Sequence, residues 1–155
     1  MTPSVTPCSV LVAAEDFGGT LDATMVARAI DRGLRAGAAG RTGDMESDPG
    51  SKLEIDLCPI ATDSAKLRSD FDVRMRAARA VVIAAPHLDH ETLLQRGAAC
   101  EIATRARQAG VPCYAVAGSN AMDLFELRML DLQAVLQAGT FIELRAAGDK
   151  LGGLI

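Results

Sequence analysis

The chain has no tryptophan, one tyrosine and four phenylalanines among its 155 residues. That scarcity argues against an aromatic-rich sandwich. The interior has to be built from Ala, Val, Leu, Ile and Met, side chains suited to helices packed on a buried parallel sheet. Positive charge is also in the minority. A net charge of −4 leaves no basic face of the kind a general nucleic-acid binder carries. The arginines alternate with acids along expected helices and read as solvated helix faces. No apolar run approaches the roughly 20 residues of a membrane span. The opening "MTPSVTPCSVLVAAEDF" has no basic segment followed by a long apolar one, so no secretory signal is expected. Cys8, Cys58, Cys100 and Cys113 form no C-x-x-C pair, which argues against structural zinc. They read as reduced, mostly buried thiols in a cytoplasmic protein.

Residues 1–155 amount to about one domain. "SVLVAA" (9–14) is short, β-branched and unbroken, as a strand buried on both faces should be. The turn "EDFGGT" leads to a helix in which Leu21, Met25, Val26, Ile30 and Leu34 recur at helical spacing. Thr20 or Asp22 is its expected N-cap and Gly37 its stop. Residues 37–52, rich in Gly, Ser and charge, read as an exposed flexible linker. "KLEIDLCPI" alternates as a half-covered strand near an edge. "DSAKLRSDFDVRMRAAR" is a mostly polar helix, and "AVVIAA" (80–85) a second fully buried strand. A helix over 92–109 ends at Gly110 and Pro112, "PCYAVAG" is a third buried strand, and "SNAMDLFELRML" starts a helix capped by Ser119 or Asn120. "QAVLQAG" fits either a longer helix or a strand, and "FIELRAAGDKLGGLI" closes the chain as a helix.

Strands alternating with helices predict a single three-layer α/β/α domain, Rossmann-like, with a mainly parallel sheet. In such sheets ligands sit beyond the carboxyl ends of the strands, where strand order reverses. Three segments follow buried strands and qualify by that rule: "EDFGGT", "APHLDHET" and "GSNAMD".

Two stretches resemble the type I glycerate kinases. "VLVAAEDFGGTLDATMVARAIDRGL" is similar to that family's opening, approximately I-V-I-A-P-D-S-F-K-G-S-L-S-A and a helix ending E-R-G-L. "RAVVIAAPHLDHETLLQRGAACEIATRARQAGVPCYAVAGS" is similar to its later signature, approximately D-L-V-I-T-G-E-G-R-L-D-x-Q-T-x-x-G-K-A-P followed by G-x-P-V-x-A-L-A-G-S. The resemblance implies that "LQAVLQAG" is a strand. It also implies a protein reduced to the family's Rossmann-like domain, since the family's enzymes are more than twice as long and carry a second, inserted domain.

The catalytic motifs depart from the family. Gly18 stands at the lysine position of D-S-F-K-G-S, "PIATDSAK" replaces P-M-A-D-G-G-E-G, and Ala84, Ala85 and Pro86 replace G-E-G. Arg96 stands for a later lysine. Phosphoryl transfer depends on positioned positive charge, and on glycines that let amides approach the anion. Losing these elements together argues against ordinary kinase chemistry. Asp89 and Thr92 are retained family positions, Ser119 follows the retained Gly118, and Glu15, Asp16 and Thr20 occupy the D-S and serine positions of the opening motif.

His87 and His90, the chain's two histidines, surround Asp89. Two imidazoles with Asp89 or Glu91 would suit zinc with an open position, yet H-x-x-H is not the metalloprotease spacing, and no metal is assigned. An acid–base role for Asp89, His87 and His90 stands beside a plainer one, in which Asp89 caps a helix starting near Glu91 and the histidines are exposed. The expected ligand contacts are Glu15, Asp16, Thr20, Thr92, Arg96, Gly118 and Ser119. The expected function is binding of a small ligand (a hydroxy acid or a nucleotide) or of a partner protein, with a homodimer covering the face left by the missing domain. An ATP- and Mg2+-dependent kinase completed by oligomerisation and a recruited His/Asp acid–base enzyme are the alternatives.

Overall fold

Five short apolar segments carry the architecture. The computed structural model describes residues 9–19, 21–42, 53–60, 70–91 and 98–155. In chain order the elements are β1 (Ser9–Ala14), α1 (Ala23–Thr42), β2 (Glu54–Pro59), α2 (Phe71–Arg76), β3 (Ala78–Leu88), α3 (Ala98–Ala109), β4 (Cys113–Asn120), α4 (Leu124–Met129), β5 (Leu132–Gln137) and α5 (Phe141–Leu154). The strands form one sheet in the order β2-β1-β3-β4-β5, and every neighbouring pair is parallel. Val10 through Ala14 are wholly inaccessible, as an unbroken apolar run requires when both faces of a strand are covered. β2 lies at the sheet edge and is mostly half-buried, with Ile55 and Leu57 packed against the layer of α1.

Strand alternation divides the core in two. Val10, Val12, Ala14, Val82, Ala84 and Val116 point to α1 and α5. Leu11, Ala13, Val81, Ile83, Ala85, Ala115 and Ala117 point to the opposite layer, which holds Phe71 and Met75 of α2 and Ile102 and Ala106 of α3. Burying a residue such as Leu34, which is fully inaccessible, stabilises the fold by about 2–3 kcal/mol relative to leaving it in water.

Four boundaries differ from the sequence expectations. Gly37 does not stop α1, which runs on to Thr42. A Cβ there would lie 2.0 Å from the Asp149 carbonyl oxygen, so this glycine serves the close approach of α5. The linker expected over 37–52 is therefore helical at its start, and residues 43–52 lie outside the described residues. β3 begins at Ala78, where the preceding helix was expected to continue, and it extends through Pro86, His87 and Leu88. β4 likewise continues through Ser119 and Asn120, so neither caps a helix. The cap of α4 is Asp123: its side chain accepts from the Glu126 amide, while Glu126 accepts from the Asp123 amide. The long strands win because β3 and β4 continue to pair at His87–Ser119 and Leu88–Asn120. That pairing satisfies backbone groups which a loop would leave to water.

Candidate functional site

The order β2-β1-β3-β4-β5 reverses between β1 and β3. From β1 the chain passes outward to β2 through α1, whereas from β3 it moves the other way through α3 on the opposite face. In open parallel sheets a ligand crevice lies beyond the carboxyl ends of the two strands at such a reversal, here β1 and β3. Glu15 follows β1, its amide donating to the Ala84 carbonyl at 2.9 Å. Continuing the alternation of β1 by one residue puts Glu15 on the sheet face of Leu11 and Ala13. His87 on β3 and Ser119 on β4 lie on that face too, with Nδ1 of His87 2.7 Å from Oγ of Ser119. Burial pushes the Glu15 carboxyl above its usual range.

The rest of "EDFGGT" is a tight turn. Asp16 is exposed, and its Oδ1 accepts from the Gly18 amide at 2.6 Å. The Phe17 amide donates to Leu21, and the Leu21 amide to Gly18. Gly18 and Gly19 adopt φ of 87° and 61°, a region that only glycine enters freely. Asp16 thus has a turn-forming role, as its residue type allows. Asp22 caps α1, accepting from the Met25 amide at 2.8 Å. Gly118 lies beneath this turn: a Cβ there would come 2.6 Å from the Pro86 carbonyl oxygen and 3.6 Å from the Phe17 ring. Gly118 is therefore needed for close packing of β4, β3 and the turn.

The two histidines do not act together. His87 turns to Ser119, whereas Nδ1 of His90 lies 3.2 Å from Oε2 of Glu126 at the start of α4. His90 is 73% exposed. Asp89 is half-buried between them in sequence. Thr20, Thr92 and Arg96 lie outside the described residues. Among the described residues no three His, Cys, Asp or Glu side chains are grouped so as to hold a metal ion. No helix among them is long and apolar enough to cross a membrane.

A feature that sequence reasoning missed lies further along the same face. A cavity of about 660 Å³ opens between α3 and α4, lined by Cys100, Thr104, Phe125, Met129 and Leu130, with His90, Glu101, Arg107, Asp123 and Glu126 around it. The capping-box pattern "DLFE" was the available signal for where α4 starts. Nothing local could show that Phe125 and Met129, at 70% and 54% exposure, would stay outside the core. The cysteines differ accordingly. Cys113 is buried, and its thiol is pushed up to about 12, chiefly by desolvation and further by the charge of Asp131, so it stays protonated and inert. Cys100 is half-buried on the cavity wall.

No protein-family model and no curated protein sequence matches the chain. Among solved structures it is similar to the X-ray structure of an oxidoreductase from Corynebacterium diphtheriae, with 12% identity and a TM-score of 0.49 over 95% of this chain and 96% of that one. A likeness of that degree carries nothing about the chemistry of this chain.

Proposed function

We propose that the chain is a glycerate-kinase-like domain that binds a small hydroxylated ligand, of hydroxy-acid size, in the crevice beyond β1, β3 and β4, without ordinary phosphoryl transfer. The observation that carries this reading is the 2.7 Å pairing of His87 with Ser119 at the ends of β3 and β4, on the sheet face that Glu15 shares at the end of β1. A carboxylate, an imidazole and a hydroxyl can together accept from and donate to several ligand hydroxyls. Two further features speak against a nucleotide. Residues 14–22, 84–96 and 117–123 contain a single cationic side chain, Arg96, too little positive charge for a triphosphate. The start of α1, where an anion would be held by free amides, already carries the Asp22 carboxylate.

Calorimetric titration with D-glycerate, and separately with ATP and Mg2+, tests the proposal. Binding of glycerate that weakens about tenfold in Ser119→Ala or Glu15→Gln, without ATP turnover, is the expected result. Robust glycerate-dependent ATP hydrolysis by the purified chain would favour instead the kinase completed by a second copy.

The 2.7 Å contact between His87 and Ser119 favours a second reading, a recruited acid–base enzyme. An imidazole within hydrogen-bond reach of a hydroxyl can take its proton and make the oxygen a nucleophile. Hydrolysis of p-nitrophenyl acetate that is lost in both His87→Ala and Ser119→Ala would support it, and equal rates in wild type and variants would remove it.

A further inference from the structure

The cavity between α3 and α4 is separate from the crevice, and it has the dimensions and lining of a ligand site. Its volume of about 660 Å³ falls within the roughly 300–1,000 Å³ of small-molecule pockets. Leu130 and the half-buried Cys100 give it an apolar floor, and Phe125 and Met129 give it an apolar wall. Those two side chains, one turn apart on α4, are exposed. Leaving them in water is unfavourable, and a ligand body would remove that exposure.

Charge selects the kind of ligand. Three carboxylates line the cavity, those of Glu101, Asp123 and Glu126, against one guanidinium, that of Arg107. Arg107 is engaged already, donating from Nη1 to the Met129 carbonyl at 2.9 Å. Glu101 is paired with Arg105 at 2.9 Å. Glu126 is the most enclosed of the three acids whose side-chain exposure bears on charge, at 13%, and its ionic partner is His90, a pair that is ionic only when the imidazole is protonated. Its other contact is the Asp123 amide at 3.4 Å. A cation in the cavity would meet the shielded carboxylate of Glu126, while an apolar body attached to it could cover Phe125 and Met129, which stand one turn apart on the same side of α4.

We infer that this cavity binds an organic cation with an apolar body, its ammonium or guanidinium group at Glu126 and its body against Phe125, Met129 and Leu130. Three compounds of like shape test the assignment: phenethylamine, phenethyl alcohol and phenylacetate. Each is titrated into the whole chain carrying 13C-methyl methionine. The Met129 methyl signal should move and that of Met25, on the other face of the sheet, should not. Phenethylamine should bind about fivefold or more tightly than the other two. Glu126→Gln, which keeps the capping pattern of α4, should abolish that preference while leaving the alcohol's affinity unchanged. Phe125→Ala, at an exposed residue, should weaken the amine about twofold to fivefold, and Ile142→Ala, at an exposed residue of α5 on the other side of the sheet, should leave the amine's affinity unchanged. A Met129 signal that no compound moves, phenylacetate binding as well as the amine, or a preference that survives Glu126→Gln would overturn the inference.

Discussion

The two faces of the sheet are built on different rules. On one side α1 and α5 lie so close that their backbones touch through glycines. A Cβ on Gly33 would stand 2.0 Å from the Arg145 carbonyl oxygen, and one on Gly148 would stand 2.5 Å from that of Ile30. On the other side α2 and α4 are six residues each, α4 buries no residue, and a cavity separates it from α3. The first layer spends its sequence on packing. The second leaves apolar and charged groups unspent, and it is the face toward which Glu15, His87 and Ser119 lie. Ligand sites are drawn from less tightly packed regions, because a close-packed interior has no room for a guest.

The strongest way to break this contrast is Gly33→Ala. Backbone atoms of a helix cannot yield as a flexible side chain would, so α1 and α5 must separate, at a cost of about 3 kcal/mol or more. The companion variant Gly153→Ala, near the end of α5 with nothing within 4 Å of the new methyl, should be neutral or stabilising by up to about 1 kcal/mol. Urea unfolding of both measures the difference. Equal midpoints would mean that the glycine seam is not tight.

Polar clamping, in contrast, should account for part of the second layer. Arg74 of α2 donates from Nε and Nη2 to both oxygens of Asp56 on β2, at 2.8 and 2.6 Å, and from Nη2 to the Leu57 carbonyl at 3.1 Å. Its guanidinium is held firmly protonated, above all by the hydrogen bond to Asp56. Arg74→Ala should lower stability by about 1–2 kcal/mol. Arg74→Lys should recover less than half of that, because one ammonium cannot reproduce the two-pronged geometry. Full recovery in the same unfolding assay would show that charge alone matters.

A smaller effect, with a sign set by pH, is expected at the crevice. Burial raises the Glu15 carboxyl above the ordinary 4.5, so the folded protein holds this proton more tightly than the unfolded chain does. Its contribution favours folding below that ordinary value and is lost as pH rises through the folded-state value. At pH 7 the ionised group is therefore unfavourable, and Glu15→Gln should be more stable than wild type by well under about 1 kcal/mol, the group being partly solvated. The gap should close as pH falls below about 4.5. Thermal melts across that range would read it, and a gap that widens in acid would contradict the assignment. The smallest effect should come from Phe125→Ala, within about 0.5 kcal/mol, because a side chain at 70% exposure contributes little to folding. A loss of 2 kcal/mol or more, on the scale of about 3–5 for a buried Phe, would place Phe125 in the core after all.

Much of this molecule was open to reading from local pattern. The unbroken runs "SVLVAA", "AVVIAA" and "CYAVA" give buried strands because only a sheet covered on both faces can hold them, and the alternation of "EIDL" gives the edge. Thr140, which accepts from the Glu143 amide at 3.2 Å, and Asp22 cap their helices because a short oxygen-bearing side chain reaches free amides within its own turn. Such features depend on neighbours a few residues apart.

What the tertiary structure alone decided involves partners far apart in the chain. Gly37 looked like a helix stop until α5, more than a hundred residues later, required its missing side chain. His87 looked like a loop residue and Ser119 like a helix cap until parallel pairing extended both strands and brought their side chains to 2.7 Å. His90, paired in sequence with His87, was drawn instead to Glu126. Composition and periodicity determine which segments form strands and helices, since those choices are local balances of burial and backbone hydrogen bonding. Strand order, the reversal between β1 and β3, and the gap between α3 and α4 follow from how distant elements meet, and no window along the chain contains that information.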